Sequence, residues 1–162
     1  MITNYLSPLE FVVTVKRLPH VQFFTQKISV PSLSATAIER PTPFKVLTET
    51  GDKLSYGELN LSFIIDEQMN NFIEIVDWMK GINFPESFDQ FKKLNESNDG
   101  LRSDISLLIM NNKKNPNIEI NFIDCFPTNL SEISLDTTAT DVMYPEASVS
   151  FAYNSYSISK VE

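Results

Sequence analysis

From Glu58 to Ile65 the chain alternates. Leu59, Leu61 and Phe63 point one way, and Glu58, Asn60 and Ser62 point the other. A strand with one apolar and one short polar face needs a sheet packed on one side, which antiparallel architectures supply. Asp66 then opens a helix, with Glu67 in its first turn near the positive end of the helix dipole. Met69, Phe72, Ile73, Val76 and Met79 keep helical spacing, and Lys80-Gly81 supplies a stop. That stripe reads as core, with Ile75 and Trp78 flanking it where they can touch a neighbouring element.

The remaining segments extend the β reading. Phe11–Lys16 and Val21–Ile28 read as two strands joined into a hairpin through Leu18-Pro19-His20. Ser103–Met110 reads as a strand, Asn111–Asn117 as a polar hairpin connection, and Ile118, Ile120 and Phe122 as one face of the next strand. In Phe126–Leu135, Pro-Thr-Asn reads as a turn that opens into a segment with Ile133 and Leu135 on one face. Ala147–Ile158 reads as one last strand, and Pro85–Leu94 as a short second helix with Pro in its first turn. Val30–Pro43 holds Pro31, Pro41 and Pro43, so it reads as an extended segment with poor capacity for ladder hydrogen bonds, unfit for the middle of a sheet. Together these give about seven strands and one or two helices: a mainly β (α+β) chain, an antiparallel sandwich or barrel with one flanking α-helix, expected as one domain over residues 1–162.

Composition narrows the function. The 162 residues suffice for a packed core, and 42% are hydrophobic, which suits a globular protein. A formal charge of −8 is the wrong sign for a nucleic-acid binder, though it suits a wall past which nucleic acid must slide. Cys125 is the single cysteine and His20 the single histidine, so neither an intrachain disulfide nor a zinc site built on such ligands can form. Cys125 sits among apolar residues and reads as a small buried hydrophobe. Gly51, Gly57, Gly81 and Gly100 are scattered and form no phosphate loop. Glu119 and Asp124 fall on opposite sides of a strand, and the spacing of Asp136 and Asp141 matches no calcium motif. No catalytic residue, metal ligand or cofactor site is therefore assigned. No apolar run approaches the roughly 20 residues of a membrane helix, and the N-terminus lacks a basic region and an apolar signal core, so synthesis in a cytoplasm is expected.

Two segments carry a family resemblance. One is Phe126-Pro127-Thr128-Asn129-Leu130 with Glu132, and the other is Val76-Asp77-Trp78 at the end of the main helix. With the order of elements from about Leu9 to Ile158, they make the chain similar to the tail-tube proteins of contractile-tailed bacteriophages and related contractile injection machines. The resemblance implies a tail-tube-like barrel or sandwich with one flanking helix. It implies homohexameric rings joined sheet edge to sheet edge, stacked into a hollow tube that serves as the conduit for DNA ejection. Implied partners are further copies of the chain, the tail sheath and the baseplate, with DNA only as non-specific cargo. The implied location is the virion tail, after assembly in the host cytoplasm.

The segment from Ser29 to Lys53 resembles the family's long loop, which reaches the adjacent ring. Phe44 is then its apolar anchor, and Arg40, Lys45, Asp52 and Lys53 its charged contacts. The alternative is an ordinary surface excursion. Glu58, Asn60, Ser62, Glu119 and Asn121 are candidates for the lumen wall, where short polar groups let DNA slide and Lys or Arg would grip phosphates. The alternative there is a plain solvent-facing sheet side. Residues Asn83 to Gly100 read as a decoration on the outer, sheath-facing side. Two further readings share the features: a ring of the baseplate or of a secretion or toxin-injection apparatus, and a monomeric β-sandwich binding module using Phe151, Tyr153 and Tyr156.

Overall fold

Two antiparallel sheets share one long strand. The computed structural model describes residues 5–6, 9–83, 86–96, 100–138 and 143–161. Its elements are β1 (Phe11–Val15), α1 (Pro19–Phe24), β2 (Thr25–Ser29), β3 (Leu33–Pro41), β4 (Val46–Tyr56), β5 (Leu59–Ile64), α2 (Asn70–Asn83), α3 (Phe88–Glu96), β6 (Ser103–Met110), β7 (Pro116–Leu130), β8 (Glu146–Ala152) and β9 (Ser155–Lys160). The first half of β7 lies between β6 and β9, and β1 extends that sheet beyond β6. Its last residues, from Phe126 on, pair with β8, which leads on to β5 and β2. The expected fold class is the observed one: mainly β, antiparallel, with helix packed on a two-sheet core.

The crossing from one sheet to the other is made at two neighbouring points. Asp124 takes a positive φ of 59°, a left-handed conformation that Asp tolerates better than most residues. The amide N–H of Asp124 donates to Asp104 Oδ1 at 3.0 Å. Beside it, the break between β8 and β9 is tied down by Asn154, whose Nδ2 donates to Asp124 Oδ2 at 2.7 Å and whose backbone N–H donates to Ile123 O at 3.1 Å. A bend in β7 and a bend after β8 thus lock together at one corner.

Alternation explains the core. Leu59, Leu61 and Phe63 are fully buried, as their period of two requires, and they meet Val149, Phe151, Ile105, Leu107, Ile120 and Phe122 in one cluster. The Trp78 ring closes it from the helix, 6.0 Å from Phe151, with its indole N–H donating to Leu101 O at 3.0 Å. The main helix begins at Asn70 rather than at Asp66, so Glu67 and Met69 precede it and its first turn holds no acid; Asp66 still ties the start, its Oδ1 accepting the Asn70 N–H at 2.7 Å.

Several expectations are corrected by the structure. Phe11–Lys16 and Val21–Ile28 do not form a hairpin. Pro19 starts a short helix instead, and β1 pairs with β6 while β2 pairs with β5. The buried stripe of α2 is Asn71, Ile75, Trp78 and Gly81, so Ile75 and Trp78 are core rather than flank, and Ile73 is 49% exposed. Asn71, a polar residue on that stripe, is satisfied because its Nδ2 donates to Ile64 O at 2.7 Å and its Oδ1 accepts the Phe72 N–H at 2.9 Å. The helix runs past Gly81, which a side chain would crowd against Leu94 Cδ2 at 2.9 Å.

Pro-Thr-Asn is not a turn. It continues β7 along an edge, where a sheet tolerates proline, and the register shift between Pro127 and Asn129 marks a bulge at Thr128. Ile133 and Leu135 lie beyond that strand, in no regular element. The last predicted strand is two, β8 and β9, on different sheets. The proline-bearing segment does form a ladder, but one of its own: β3 pairs with β4 alone, as a separate two-stranded sheet. Pro85 of the predicted second helix and Asp141 of the weighed cation pair lie outside the described residues.

Candidate assembly surfaces

Three surfaces bear on function: an arm, two sheet faces with their edges, and an apolar groove. The arm is the β3–β4 hairpin, whose residues are exposed along both strands except for the intermediate Gly51. Its exposed side chains include Leu33, Ile38, Val46, Leu47 and Leu54, and Phe44 at the tip is 98% exposed. A hairpin that buries none of this surface against the other described residues lacks the packing that normally stabilises two strands in water. Its base is anchored, since the Tyr56 ring meets Tyr153 at 5.9 Å and Tyr156 at 5.7 Å. Thr42 N–H donates to Lys45 O at 3.0 Å and closes the tip. Midway, a Cβ on Gly51 would lie 2.3 Å from Thr36 O, so the kinked register there needs glycine.

Of the predicted contact residues, Arg40 pairs within the arm with Glu49 at 3.3 Å. Lys45 and Phe44 stand together at the tip, whereas Asp52 and Lys53 sit down the second strand near the bulge.

The predicted lumen residues are divided between the two sheets. Asn60 and Ser62 lie on the outer face of β5, opposite Ser150 and Ser148 of β8 and beside Ser29 and Lys27 of β2, with Glu58 just before the strand. Ser150 Oγ donates to Asn60 Oδ1 at 2.7 Å. Glu119 and Asn121 lie on β7 in the other sheet, opposite Leu108 and Ser106 and flanked by Ser159 and Ser157. Ser106 Oγ donates to Asn121 Oδ1 at 2.6 Å. Because the two sheets turn their apolar sides to a shared core, their outer faces point away from one another. The β5 face is mostly short and polar, with Lys27 beside Ser62 and Ile64 at its end; the β7 face carries Leu108 and the exposed Val12 and Ile123.

Each sheet leaves two ladder edges open among the described residues. These are β1 and β9 on one sheet, and β2 and the last residues of β7 on the other. Unpaired edges of this kind are templates for another chain.

The groove, about 760 Å³, is lined by Phe24, Ile64, Ile65, Met69, Ile133 and Leu135, with Asp66 and Glu67 as its charged residues. Periodicity could not reveal it, because its walls come from a helix end, a strand end and an irregular segment.

The family-motif residues are structural in position. Trp78 and Pro127 are buried, Leu130 packs against the core, and the Arg102 guanidinium lies 5.5 Å over the Phe126 ring. Asp77, Thr128, Asn129 and Glu132 are exposed, and Thr128 Oγ1 donates to Ser150 O at 3.1 Å across the bulge.

Cys125 is fully buried, and burial pushes its thiol up to about 12, aided by the nearby charges of Asp104 and Asp124. Native protein should therefore resist alkylation by iodoacetamide at pH 8. Unfolding in urea should restore one reacting thiol per chain, as read by intact mass. Asp136 is held below the usual carboxylate range by the Thr138 hydroxyl, at 2.6 Å, and the Thr138 N–H, at 2.8 Å. No helix among the described residues is long and apolar enough to cross a membrane.

Residues 9–159 match the family model for phage tail tube proteins. The chain belongs to that family. No curated protein matches this tail tube chain in sequence. Among solved structures it resembles one of the anti-feeding prophage cap, the tube-terminating cap, at 17% identity and TM-score 0.69, over 99% of this chain and 95% of that one. It also resembles a chain of the sheath–tube complex of the extracellular contractile injection system PVC in its extended state, at 17% identity and TM-score 0.67, over 97% and 93%. A chain of the anti-feeding prophage baseplate matches at 13% identity and TM-score 0.67, over 98% and 97%. The tail tube chain thus has the fold found in tube, cap and baseplate assemblies of contractile machines.

Proposed function

We propose that this chain forms hexameric rings that stack into the tube of a contractile tail, a passive conduit for DNA leaving the particle. The observation that carries the reading is the arm. An anchored hairpin with exposed Leu33, Ile38, Phe44, Val46, Leu47 and Leu54, left uncovered by the other described residues, is built to be covered by another copy. Edge-to-edge joining of four-stranded sheets closes each ring, and the arms join one ring to the next.

In this arrangement the β5 face lines the lumen, through Glu58, Asn60, Ser62, Ser148 and Ser150. It is the more polar of the two, its side chains are mostly short, and Lys27 beside Ser62 is a single cation rather than a cluster, so little there grips a polyanion. Glu119 and Asn121 then face outward, on the side whose apolar Val12, Leu108 and Ile123 suit burial against a neighbouring chain or a sheath. Sheath and baseplate proteins are the remaining partners, consistent with the assemblies that contain chains of this fold. A ring of a cap or baseplate, or of an injection apparatus with a different cargo, is the second reading, favoured by the same assemblies.

Negative-stain electron microscopy of the purified chain over a concentration series tests the proposal. Hollow tubes built of six-fold rings are the expected result. Single rings that never stack, even on an added baseplate, would point to the cap or baseplate position. Monomers under all of these conditions would overturn the ring assignment.

A further inference from the structure

We infer that the apolar groove walled by Phe24, Ile65, Met69 and Leu135 is the receptor for the arm tip, Phe44 and Lys45, of a second copy of this chain. The inference rests on the stacking reading and specifies its contact.

Position is the first argument. The arm leaves the body where β2 ends and β5 begins, at the Ser29–Asn60 pair. The groove lies where β2 begins and β5 ends, around Phe24, Ile64 and Ile65. Donor and receptor are therefore at opposite ends of one sheet, separated by the six residues of β5, about 20 Å at roughly 3.3 Å per residue. A copy placed above another in the same orientation brings its groove end onto the arm end of the copy below. The contact is heterologous, so it leaves a free arm at one end and a free groove at the other, and it repeats without limit.

Chemistry is the second argument. Phe44 is 98% exposed and Leu135 82% exposed, so apolar surface is left open on both sides of the contact. The groove volume of about 760 Å³ is within the range of sites that enclose an apolar ligand. From Pro41 to Val46 the tip carries one charge, that of Lys45, and the groove lining carries two, Asp66 and Glu67, of the opposite sign. A Phe seated in an apolar pocket with a cation at an acidic rim combines a hydrophobic anchor with electrostatic registration.

The contact is tested by a cysteine pair, Phe44→Cys with Leu135→Cys, in tubes exposed to mild oxidant. Cys125 is buried and stays out of the exchange. A disulfide requires Cα atoms within about 7 Å, so a ladder of covalent multimers on denaturing gels is expected only if tip and groove meet. Phe44→Cys with Asn121→Cys, on the outer face of the other sheet, should give no ladder. Tubes that form while only the Asn121 pair cross-links, or neither pair does, would overturn the groove as receptor and leave stacking intact. If the cysteine variants do not assemble, charge exchange decides. Lys45→Glu and Glu67→Lys should each raise the protein concentration needed for tubes by about tenfold, and the double variant should recover it. Failure of the double variant to recover would count against the contact. A parent chain that never assembles would overturn the stacking reading and this inference with it.

Discussion

Replacing residues 38–49 with Asn-Gly should leave a folded subunit that builds no tube. Ala37 and Thr50 are ladder partners, so a two-residue turn joins them in a geometry that hairpins favour. The shortened arm keeps the pairs Leu33–Tyr56, Ser34–Ser55 and Ala35–Leu54, together with the packing of Tyr56 on Tyr153 and Tyr156. Nothing in the core cluster is removed, since none of the deleted residues belongs to it. The melting temperature should therefore stay within about 2 °C of the parent, the scale of surface changes worth about 0.5 kcal/mol. Stacking should fail completely, because the tip and the apolar residues Ile38, Val46 and Leu47 leave together. Rings, which depend on sheet edges rather than on the arm, should persist in micrographs. Tubes of normal length from this variant would assign the arm no role between rings.

How much of this was legible in the sequence depended on whether the signal was periodic. Leu59, Leu61 and Phe63 announced their buried face because a strand buried on one side must alternate, and the structure buries all three. Cys125 was legible for the same reason, as a small apolar residue in an apolar strand. The helix was legible in kind and rough position but in neither its ends nor its phase. Val76 and Ile73 fit a 3.6-residue stripe as well as Ile75 and Trp78 do, and the choice was made by where Phe151 and the sheet corner stand. Asn71 could not be read as core at all, because its burial depends on a carbonyl, Ile64 O, that only the fold brings near.

The misread segments share one physical cause: propensity is local, and sheet membership is not. Pro127 signals a turn in isolation, but an edge position beside a bulge is where a strand tolerates proline. Tyr153-Asn154 interrupts what looks like one strand, because the chain must leave one sheet for the other beside Asp124. The proline-bearing segment was legible as a projection, whereas its ladder was not, since the partner strand Val46–Tyr56 carries Gly51, Asp52 and Lys53 and lacks a strand pattern. The lumen candidates illustrate the limit of face-by-face reading. Each strand showed its polar side, but only the topology separates Asn60 from Asn121 onto different sheets.

Trp78→Ala is the substitution with the largest expected effect on folding. The ring is buried, packs near Phe151 and carries the Arg17 guanidinium over its face, 5.3 Å from the ring centre. Removing it leaves a cavity between α2 and the β8 core and strips Leu101 O of the indole N–H at 3.0 Å. Large aromatic truncations in cores cost about 3–5 kcal/mol, and a carbonyl deprived of its partner adds to that unless water reaches it. Against a typical domain stability of about 5–15 kcal/mol this is a large fraction. Urea titration followed by far-UV circular dichroism should show a markedly lower midpoint with little change in slope. Trp78→Phe should fall between the two, since it restores most of the ring volume but not the N–H donor. A midpoint for Trp78→Ala within experimental error of the parent would mean that α2 does not hold the sheets together. The comparison also separates folding from assembly. Trp78 is buried within the subunit, so its loss should weaken rings and tubes only as it depletes folded chains, whereas loss of Phe44 should weaken tubes in chains that remain fully folded.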